Sequence, residues 1–219
     1  MRLVDLSGEI FDGQGGHFPT VVQDFKTIDP ATVDNPAARR TFAVKTMTLA
    51  DHTGTHVDAL AHFIPGGATI DAMALDLFWG QAWVADFSAE QGTGKELTLP
   101  DLEKLLIKRG ITPQKGDVVL FLFAAADGRA VYSGLSGAVA AFLAQKQVKL
   151  VGTNQGSIDW SENITRPAHV TLLGAGIPIV EGLHNLDKVA REKFIFCGLP
   201  LRVRGGTGSP IRAVAMLQA

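Results

Sequence analysis

The chain has little cysteine and lacks any segment that resembles a leader or a membrane span. Cys197 is the only cysteine among 219 residues, so no intrachain disulfide can form, which fits a reducing compartment. The residues that follow Met1 lack the apolar stretch of a signal peptide. The longest apolar run, residues 118–126, is far too short to span a bilayer. We therefore expect a cytoplasmic protein with no leader and no membrane partner.

An excess of charge of one sign is also absent. The chain carries 20 Lys and Arg residues against 22 Asp and Glu residues, a formal net charge of −2, and no run of basic residues. Proteins that bind a phosphate backbone usually show such a run, so we expect a small-molecule substrate and no nucleic acid. No Pro/Ser-rich linker, charge block or repeat interrupts the sequence, and 46% of its residues are hydrophobic. Residues 1–219 are therefore expected to form a single domain around one core.

Short β-rich runs dominate the pattern along the chain. Residues 118–123 are apolar without alternation, which is typical of a strand covered on both faces, whereas residues 42–49 alternate more, as in a half-exposed strand. The predicted strands are Leu3–Leu6, Phe42–Leu49, Ala82–Phe87, Asp117–Phe123, Val148–Gly152, Ile177–Val180, Phe194–Val203 and Ala213–Leu217.

Two or three helices are predicted between these strands. Thr98 is a suitable N-cap for a helix over Leu99–Arg109, and Gly110 follows its end. Ser136 can cap a second helix, and His169–Leu173 can begin a shorter helical turn. The sequence thus predicts an α/β fold with a strand-rich mixed sheet, although the order of the strands does not follow from it.

The most informative stretch is residues 51–63, Asp-His-Thr-Gly-Thr-His-Val-Asp-Ala-Leu-Ala-His-Phe. Three of the six histidines, His52, His56 and His62, fall within it together with Asp58. Imidazole is the commonest protein ligand for a divalent transition metal, and a carboxylate is its usual companion. This density favours a metal ion over the alternative that each histidine is a surface residue or a satisfied core residue.

Regular secondary structure cannot bring His52, His56 and Asp58 to one ion. On a helix, Asp58 would point about 240° away from His52. In a straight strand the two residues would lie about 20 Å apart, whereas ligand bonds are about 2 Å long. The segment must therefore bend, and Gly54 is the residue able to take the unusual dihedral angles. We expect a strand that ends near Ala50, a turn around Gly54, and then an irregular or helical run.

Three protein ligands would leave open positions for water and substrate, which marks a catalytic rather than a structural site. Such an ion lowers the pKa of water to about 7 and polarises a carbonyl. His62, just beyond the ligand set, is then a candidate proton shuttle, whereas Asp51 is expected to support the turn or a ligand. Imidazole and carboxylate suit zinc, manganese and iron, and we expect zinc or manganese as the cofactor.

The pattern His52-Thr-Gly-Thr-His56-Val-Asp58-Ala-Leu-Ala-His62 resembles the His-x-Gly-Thr-His-x-Asp-x-Pro-x-His signature of the cyclase family. That family includes bacterial kynurenine formamidase and isatin hydrolase. The similarity covers nearly the whole chain. Further matching landmarks are residues 3–7, 62–67, 134–136, 152–154, 157–159, 177–183 and 208–213.

The resemblance implies a swivelling β/β/α fold, assembly as a homodimer or homotetramer, and metal-dependent hydrolysis of an amide, lactam or related carbonyl compound. It implies one or two ions per subunit, with His62 as the acid/base. The implied ligands are His52, His56 and Asp58 for a first ion, and a bridging Asp58 with His169 and Glu181 for a second. Without the resemblance, His169 is a histidine at a helix start and Glu181 a charge that closes an apolar strand.

Three departures from the family pattern bear on the substrate. Leu60 replaces the proline of the signature, which leaves the metal-binding positions intact and is closer to the isatin hydrolase side of the family. Asn154 occupies a position where many members have aspartate, so a supporting contact is expected to differ. Residues 124–128, Ala-Ala-Ala-Asp-Gly, replace a common Thr-Gly-Trp. This last change is expected to reshape the pocket or interface, and it argues against formylkynurenine as the substrate.

We therefore predict a metal-dependent hydrolase that cleaves a C–N bond of a cyclic or formylated amide, with an aromatic substrate expected. Two alternatives stay open. One is a lactone or ester hydrolase on the same scaffold, since both reactions pass through a tetrahedral oxyanion. The other is a non-catalytic metal-binding module, which the presence of all six candidate residues disfavours.

Two further expectations concern apolar surroundings. Cys197 is expected to be a buried, inert thiol because it lies in an apolar run. Aromatic side chains could serve the core or line a pocket for a ring, and the candidates are Phe18, Phe78, Trp79, Trp83 and Trp160.

Overall fold

The computed structural model describes residues 1–14, 19–27, 43–89, 94–124 and 133–218, and its largest element is a nine-stranded sheet. The strands are β1 (Arg2–Asp5), β2 (Val21–Thr27), β3 (Ala43–Thr48), β4 (His56–Asp58), β5 (Trp79–Phe87), β6 (Glu96–Leu97), β7 (Val118–Phe123), β8 (Gly134–Leu135), β9 (Leu150–Thr153), β10 (Ile179–Glu181), β11 (Phe194–Cys197), β12 (Gly208–Pro210) and β13 (Val214–Leu217). The helices are α1 (Leu99–Arg109), α2 (Gly137–Gln145) and α3 (Pro167–Gly174). Short 3-10 helices include one at Leu60–His62.

The strand order of the large sheet is β1-β13-β11-β5-β7-β9-β10-β4-β12. Its centre is parallel, since β5, β7, β9 and β10 run in the same direction, and antiparallel strands flank that centre on both sides. Two smaller pairs stand apart from it, β2 with β3 and β6 with β8. The prediction of a strand-rich mixed sheet with two or three helices is confirmed.

Strand β7 shows how the sheet separates two hydrophobic clusters. Successive side chains of a strand point to opposite faces, so Val118 and Leu120 pack with Phe196 and Leu6 on one side. Val119 and Phe121 belong to the other cluster. All six residues of β7 are buried, as the unbroken apolar run predicted.

The helices cover one face of the sheet. In α1, Leu102 and Leu106 are buried, and α2 buries Val139 and Leu143 in the same cluster. Helix α1 has the predicted bounds. The Ser136 hydroxyl caps α2 by accepting a hydrogen bond from the Val139 N–H at 3.3 Å.

Several predicted boundaries were wrong, for identifiable reasons. The strand expected over residues 194–203 ends at Cys197. Pro200 has no N–H to donate to a ladder, and the apolar side chains of Leu199, Leu201 and Val203 are exposed there. Strands β2, β4, β6, β8 and β12 were missed. Phe18, Phe42 and residues 125–128 lie outside the described residues. Across the described part of the chain, none of the helices has the length and apolar content that a membrane span requires.

The segment that carries the histidines bends at Gly54, which has a φ of +65°. The expected turn is thus confirmed, but the run after it is not irregular or helical, because the strand β4 follows first. Strand β4 pairs with β10 on one side and β12 on the other, which sets His56 opposite Glu181. A strand of three residues has too little periodicity to be read from sequence, and its neighbours define it.

Candidate metal centre

Asp58 lies at the centre of the predicted site and is fully buried. Its Oδ1 atom is 2.7 Å from His52 Nδ1 and 3.4 Å from His56 Nε2, and its Oδ2 atom is 3.4 Å from His169 Nε2. Strand β4 supplies His56 and Asp58, the turn before it supplies His52, and helix α3 supplies His169. Two imidazoles from the same segment and a third from a distant helix therefore surround one carboxylate.

Glu181, at the end of β10, connects two of these rings from the other side. Its Oε1 atom is 3.2 Å from His169 Nε2, and its Oε2 atom is 3.6 Å from His56 Nε2. The backbone N–H of Ile158 donates to Oε1 at 2.7 Å and holds the carboxylate in place. The residues named for the second ion thus lie in one cluster with those named for the first.

The donor set fits a divalent metal. Asp58 Oδ2 is buried and has no hydrogen-bond partner within the described part of the chain, although His169 Nε2 lies 3.4 Å from it, and a buried oxygen without a hydrogen bond is costly. Two groups, His52–His56–Asp58 and Asp58–His62–His169, each have potential ligand atoms within 4.8 Å of one another. Because Asp58 belongs to both groups, the arrangement suits the bridging role implied for it. Imidazole nitrogen and carboxylate oxygen are ligands that zinc and manganese accept.

The electrostatics of the cluster favour bound positive charge. Burial opposes the charged form of His56, but the carboxylates of Asp58 and Glu181 outweigh it and raise the pKa of His56 to about 9. For His169, burial is likewise outweighed by Asp159, Asp58 and Glu181, which raise its pKa to about 11. The pKa of Asp58 is held well below its usual value because imidazole contacts overcome the effect of burial. The raised pKa values mean that His56 and His169 carry protons at pH 7. A bound metal cation would replace the positive charge of those protons.

His62 differs from the other rings of the cluster. It is partly exposed, and its ring centroid lies 4.0 Å from that of His52 and 5.9 Å from that of His169. Burial is the largest influence on it; Asp58 opposes that influence and the neighbouring histidines reinforce it, so the pKa falls to about 4. The lowered pKa keeps this accessible ring neutral at pH 7, and it makes the ring a weaker base than a free imidazole. Its membership of the second ligand group leaves metal binding as the competing role.

The structure shows supporting roles that the sequence analysis did not assign to Asp159 and Phe63. Asp159 is fully buried and lies 2.5 Å from His169 Nδ1 through its Oδ2 atom. Its Oδ1 atom accepts the Ala168 N–H at 2.7 Å, so one carboxylate both orients the His169 ring and caps the start of α3. Helix α3 therefore starts at Pro167, two residues before the predicted His169. Phe63 stacks on His169 with 4.5 Å between the ring centroids.

Asp51 binds the segment that leads into β12. Its Oδ2 atom accepts hydrogen bonds from the Thr207 N–H and hydroxyl, both at 2.9 Å, and from the Gly208 N–H at 3.2 Å. Burial opposes ionisation of Asp51, but the hydrogen bonds from Thr207 prevail and lower its pKa. The supporting role expected for Asp51 agrees with these contacts.

Asn154, one of the three departures from the family pattern, bonds to the backbone at the end of β7. Its Oδ1 atom accepts the Phe123 N–H and its Nδ2 atom donates to the Phe123 carbonyl, both at 2.9 Å. An ionised aspartate could not make the second bond, because it has no proton to donate.

The aromatic residues predicted to serve the core or line a pocket differ in burial, and so does Cys197 from its prediction. Phe78 and Trp83 are buried in the two core clusters, whereas Trp79 is half exposed. Cys197 is only partly buried, because it ends β11. The structure also contains a cavity of about 540 Å³. Some of its lining residues are neighbours of the candidate metal ligands along the chain, but none of the candidate ligands lines it. It is lined by Ser7, Gly8, Glu9, Phe11, Gln14, Gly54, Thr55, Gly182 and His184.

Known proteins are similar to this chain in both sequence and architecture. The Cyclase family model, described as "Putative cyclase", matches residues 4–160. A kynurenine formamidase of Bacillus cereus is 31% identical over 172 residues, which cover 77% of each chain. Isatin hydrolase A from Labrenzia aggregata, in a structure bound to benzyl benzoate, has a TM-score of 0.82 and 25% identity over 100% of this chain and 94% of its own. Isatin hydrolase A from Ralstonia solanacearum has a TM-score of 0.81 and 24% identity over 99% of this chain and 92% of its own.

Proposed function

Because this chain belongs to the cyclase family, we propose that it is a metal-dependent hydrolase that cleaves a C–N bond of a cyclic or formylated amide. Its kynurenine formamidase relatives and its isatin hydrolase neighbours confirm the prediction of an enzyme of the hydrolase class. We expect the substrate to be aromatic, as isatin and formylkynurenine are. The presence of all six candidate residues in one cluster supports catalysis over a metal-binding module without activity.

The observation that carries the proposal is the environment of Asp58. Its buried carboxylate faces His52, His56 and His169, and its Oδ2 atom has no hydrogen-bond partner in the described regions. Glu181 adds a second carboxylate to the same space. We propose His52, His56 and Asp58 as ligands of one ion, and Asp58, His169 and Glu181 as ligands of a second where two ions are bound.

The chemistry divides between the ion and the protein. A bound divalent ion would supply Lewis acidity, which activates water and polarises a carbonyl. The side chains around it would hold that ion in a fixed place, and the buried carboxylates would balance its charge. His62 has both access to solvent and a position beside His52. We propose that its ring takes a proton from the attacking water and gives it to the leaving nitrogen.

The test is metal analysis joined to a substrate assay. Purified protein is analysed for zinc, manganese and iron, and its hydrolysis of isatin and N-formylkynurenine is measured before chelation, after chelation and after each metal is restored. We expect at least one ion per chain, loss of activity on chelation, and recovery with zinc or manganese. Full activity in protein stripped of every metal would contradict the proposal.

An ester substrate is the second candidate. The isatin hydrolase A neighbour with 25% identity is described bound to benzyl benzoate, which is an aromatic ester. Amides and esters react through similar tetrahedral oxyanions, so the same centre could serve both. Aryl esters and lactones in the substrate panel decide between them, because an ester hydrolase would act on these and leave isatin and N-formylkynurenine intact.

Assembly and location stay predictions. The pair of β2 and β3 exposes Phe25 and Met47, which are 71% and 63% accessible, and such surfaces often serve contacts between protein chains. This supports the predicted homodimer or homotetramer, which light scattering of the purified protein would test. The predicted cytoplasmic location would be tested by cell fractionation.

A further inference from the structure

The two nitrogens of the His52 ring have different surroundings. Nδ1 faces the centre, 2.7 Å from Asp58 Oδ1. Nε2 faces away from it, 3.0 Å from the hydroxyl oxygen of Thr207. Which nitrogen can bind an ion therefore depends on what the Thr207 hydroxyl does.

The hydroxyl of Thr207 has one proton, and that proton is already used. It is donated to Asp51 Oδ2 at 2.9 Å, and an ionised carboxylate can only accept. Toward His52 the hydroxyl oxygen can therefore only accept, so the hydrogen between them belongs to Nε2. In the metal-free chain Nδ1 donates to the Asp58 carboxylate by the same rule. With Nε2 kept protonated by Thr207, a cation that replaces the Nδ1 hydrogen would meet the lone pair of Nδ1.

The backbone fixes Thr207 and the His52 ring in this relation. The Thr207 carbonyl accepts the Ala59 N–H at 2.8 Å, and its own N–H donates to Asp51 at 2.9 Å. The ring lies directly against Gly208, where an added Cβ atom would come within 2.6 Å of His52 Cε1. The His62 ring lies near the His52 ring at a centroid distance of 4.0 Å. The ring thus has little room to turn over.

We infer that Thr207, oriented by Asp51, is a positioning residue that accepts the Nε2–H of His52 and leaves Nδ1 to bind the ion. The His56 ring has the opposite orientation, with Nε2 rather than Nδ1 toward Asp58, because its Nδ1 contacts the Gly54 carbonyl at 3.0 Å. The inference rests on the proposed function, since it concerns the same metal centre. Polar partners of this kind commonly change metal affinity by roughly 10- to 100-fold when removed.

Two substitutions separate the hydroxyl from the shape of the side chain. Thr207→Val keeps the branched shape and removes the hydroxyl, whereas Thr207→Ser keeps the hydroxyl and removes the methyl group. Zinc dissociation constants are measured on metal-free protein by competition with a chromophoric chelator, and thermal melts of the same samples report folding. We expect zinc binding to weaken roughly 10- to 100-fold in Thr207→Val and to stay close to wild type in Thr207→Ser.

Equal zinc affinity in Thr207→Val and wild type would overturn the inference, as would equal weakening in both variants, which would assign the effect to packing of the methyl group. A second measurement does not depend on folding of any variant. Long-range ¹H–¹⁵N spectra of the zinc-loaded wild type are expected to show a protonated Nε2 and a zinc-bound Nδ1 at His52. A zinc-bound Nε2 refutes the positioning role and leaves the proposed function standing, whereas a wild type that binds no zinc or other divalent metal refutes both.

Discussion

At the residue scale, Asp58 decides what the centre can bind. It is fully buried, it faces three imidazoles, and one of its oxygen atoms has no hydrogen-bond partner within the described regions. A buried carboxylate of this kind requires compensating positive charge. In the protein alone the protons of His56 and His169 supply that charge, as their raised pKa values of about 9 and 11 indicate. A divalent cation offers the same compensation with fixed coordination.

Removal of a ligand should abolish both metal retention and turnover. His56→Ala takes away a ring that contacts Asp58 and Glu181, and Asp58→Ala takes away the shared carboxylate. We expect metal analysis to find less than a tenth of the wild-type content in either variant. Asp24→Ala is the matched control, because that carboxylate is exposed and pairs with Lys45 in the separate β2–β3 pair. Full activity in either ligand variant would rule out the proposed centre.

His62→Ala should separate binding from catalysis. The ring is partly exposed and we assign it to proton transfer, so its loss is expected to lower kcat by roughly 10²- to 10⁴-fold while the metal content stays at the wild-type level. The measurement pairs steady-state kinetics with metal analysis of the same preparation. If His62→Ala loses the metal, the residue is a ligand and the shuttle assignment is wrong.

At the element scale, the centre depends on how the ends of short strands meet. Gly182 follows Glu181 at the end of β10 and has a φ of +66°. A Cβ atom at Gly182 would lie 2.8 Å from the Gly54 carbonyl oxygen, at the bend that leads into β4. Two glycines in the left-handed region thus let the ends of β4 and β10 approach closely. That approach brings Glu181 near His56.

Gly182→Ala should therefore disturb both stability and metal binding. A side chain at positive φ costs about 1–2 kcal/mol, and the contact with the Gly54 carbonyl adds to that cost. We expect chemical denaturation to show a loss of more than about 2 kcal/mol, and the zinc affinity to fall.

Gly110→Ala is the matched control for this change. Its φ is +60°, but an added Cβ atom would meet no atom within 4 Å. Only the backbone cost of about 1–2 kcal/mol is expected there, with unchanged zinc affinity. Equal losses in the free energy of unfolding of the two variants would show that the close contact of Gly182 with Gly54 does not contribute to stability.

At the scale of the whole molecule, the sheet joins the two ends of the described chain. Strand β1 pairs with β13, and Arg212 holds Asp5 through two hydrogen bonds of 2.9 and 2.6 Å. The Arg212 guanidinium is the main reason that the pKa of the Asp5 carboxyl is lowered. A carboxyl with a lowered pKa stabilises the folded state above its unfolded pKa of about 3.9. That contribution is lost as the pH falls through the folded value.

Asp5→Asn should consequently lower the unfolding midpoint at pH 7 and leave it close to wild type at strongly acidic pH. The effect is expected to be small, because both side chains are exposed and solvent screens the pair. Urea titrations of both proteins between pH 7 and pH 2 give the difference. Arg212→Gln should reproduce the same pH dependence, and a difference that persists unchanged to the lowest pH would contradict the role of this ion pair.

How much the sequence predicted differs between elements for physical reasons. Helix α1 and the buried strand β7 were predicted nearly to the residue, because cap residues and unbroken apolar runs are local signals. Strands β4 and β12 were missed, because three residues carry no period and only pairing across the sheet defines them. The end of β11 was placed too late, since apolar residues after Cys197 continue the pattern although they are exposed.

The sequence by itself determined which donor groups the proposed centre can use, because three imidazoles and one carboxylate lie within residues 52–62. It also predicted the bend at Gly54 from the geometry of helices and strands. The tertiary structure decided which groups meet there. Glu181 reaches His56 through the pairing of β10 with β4, and Asp159 reaches His169 through the start of α3. Thr207 reaches His52 from a segment 155 residues away. Such contacts depend on the packing of distant segments, which no local pattern of residues encodes.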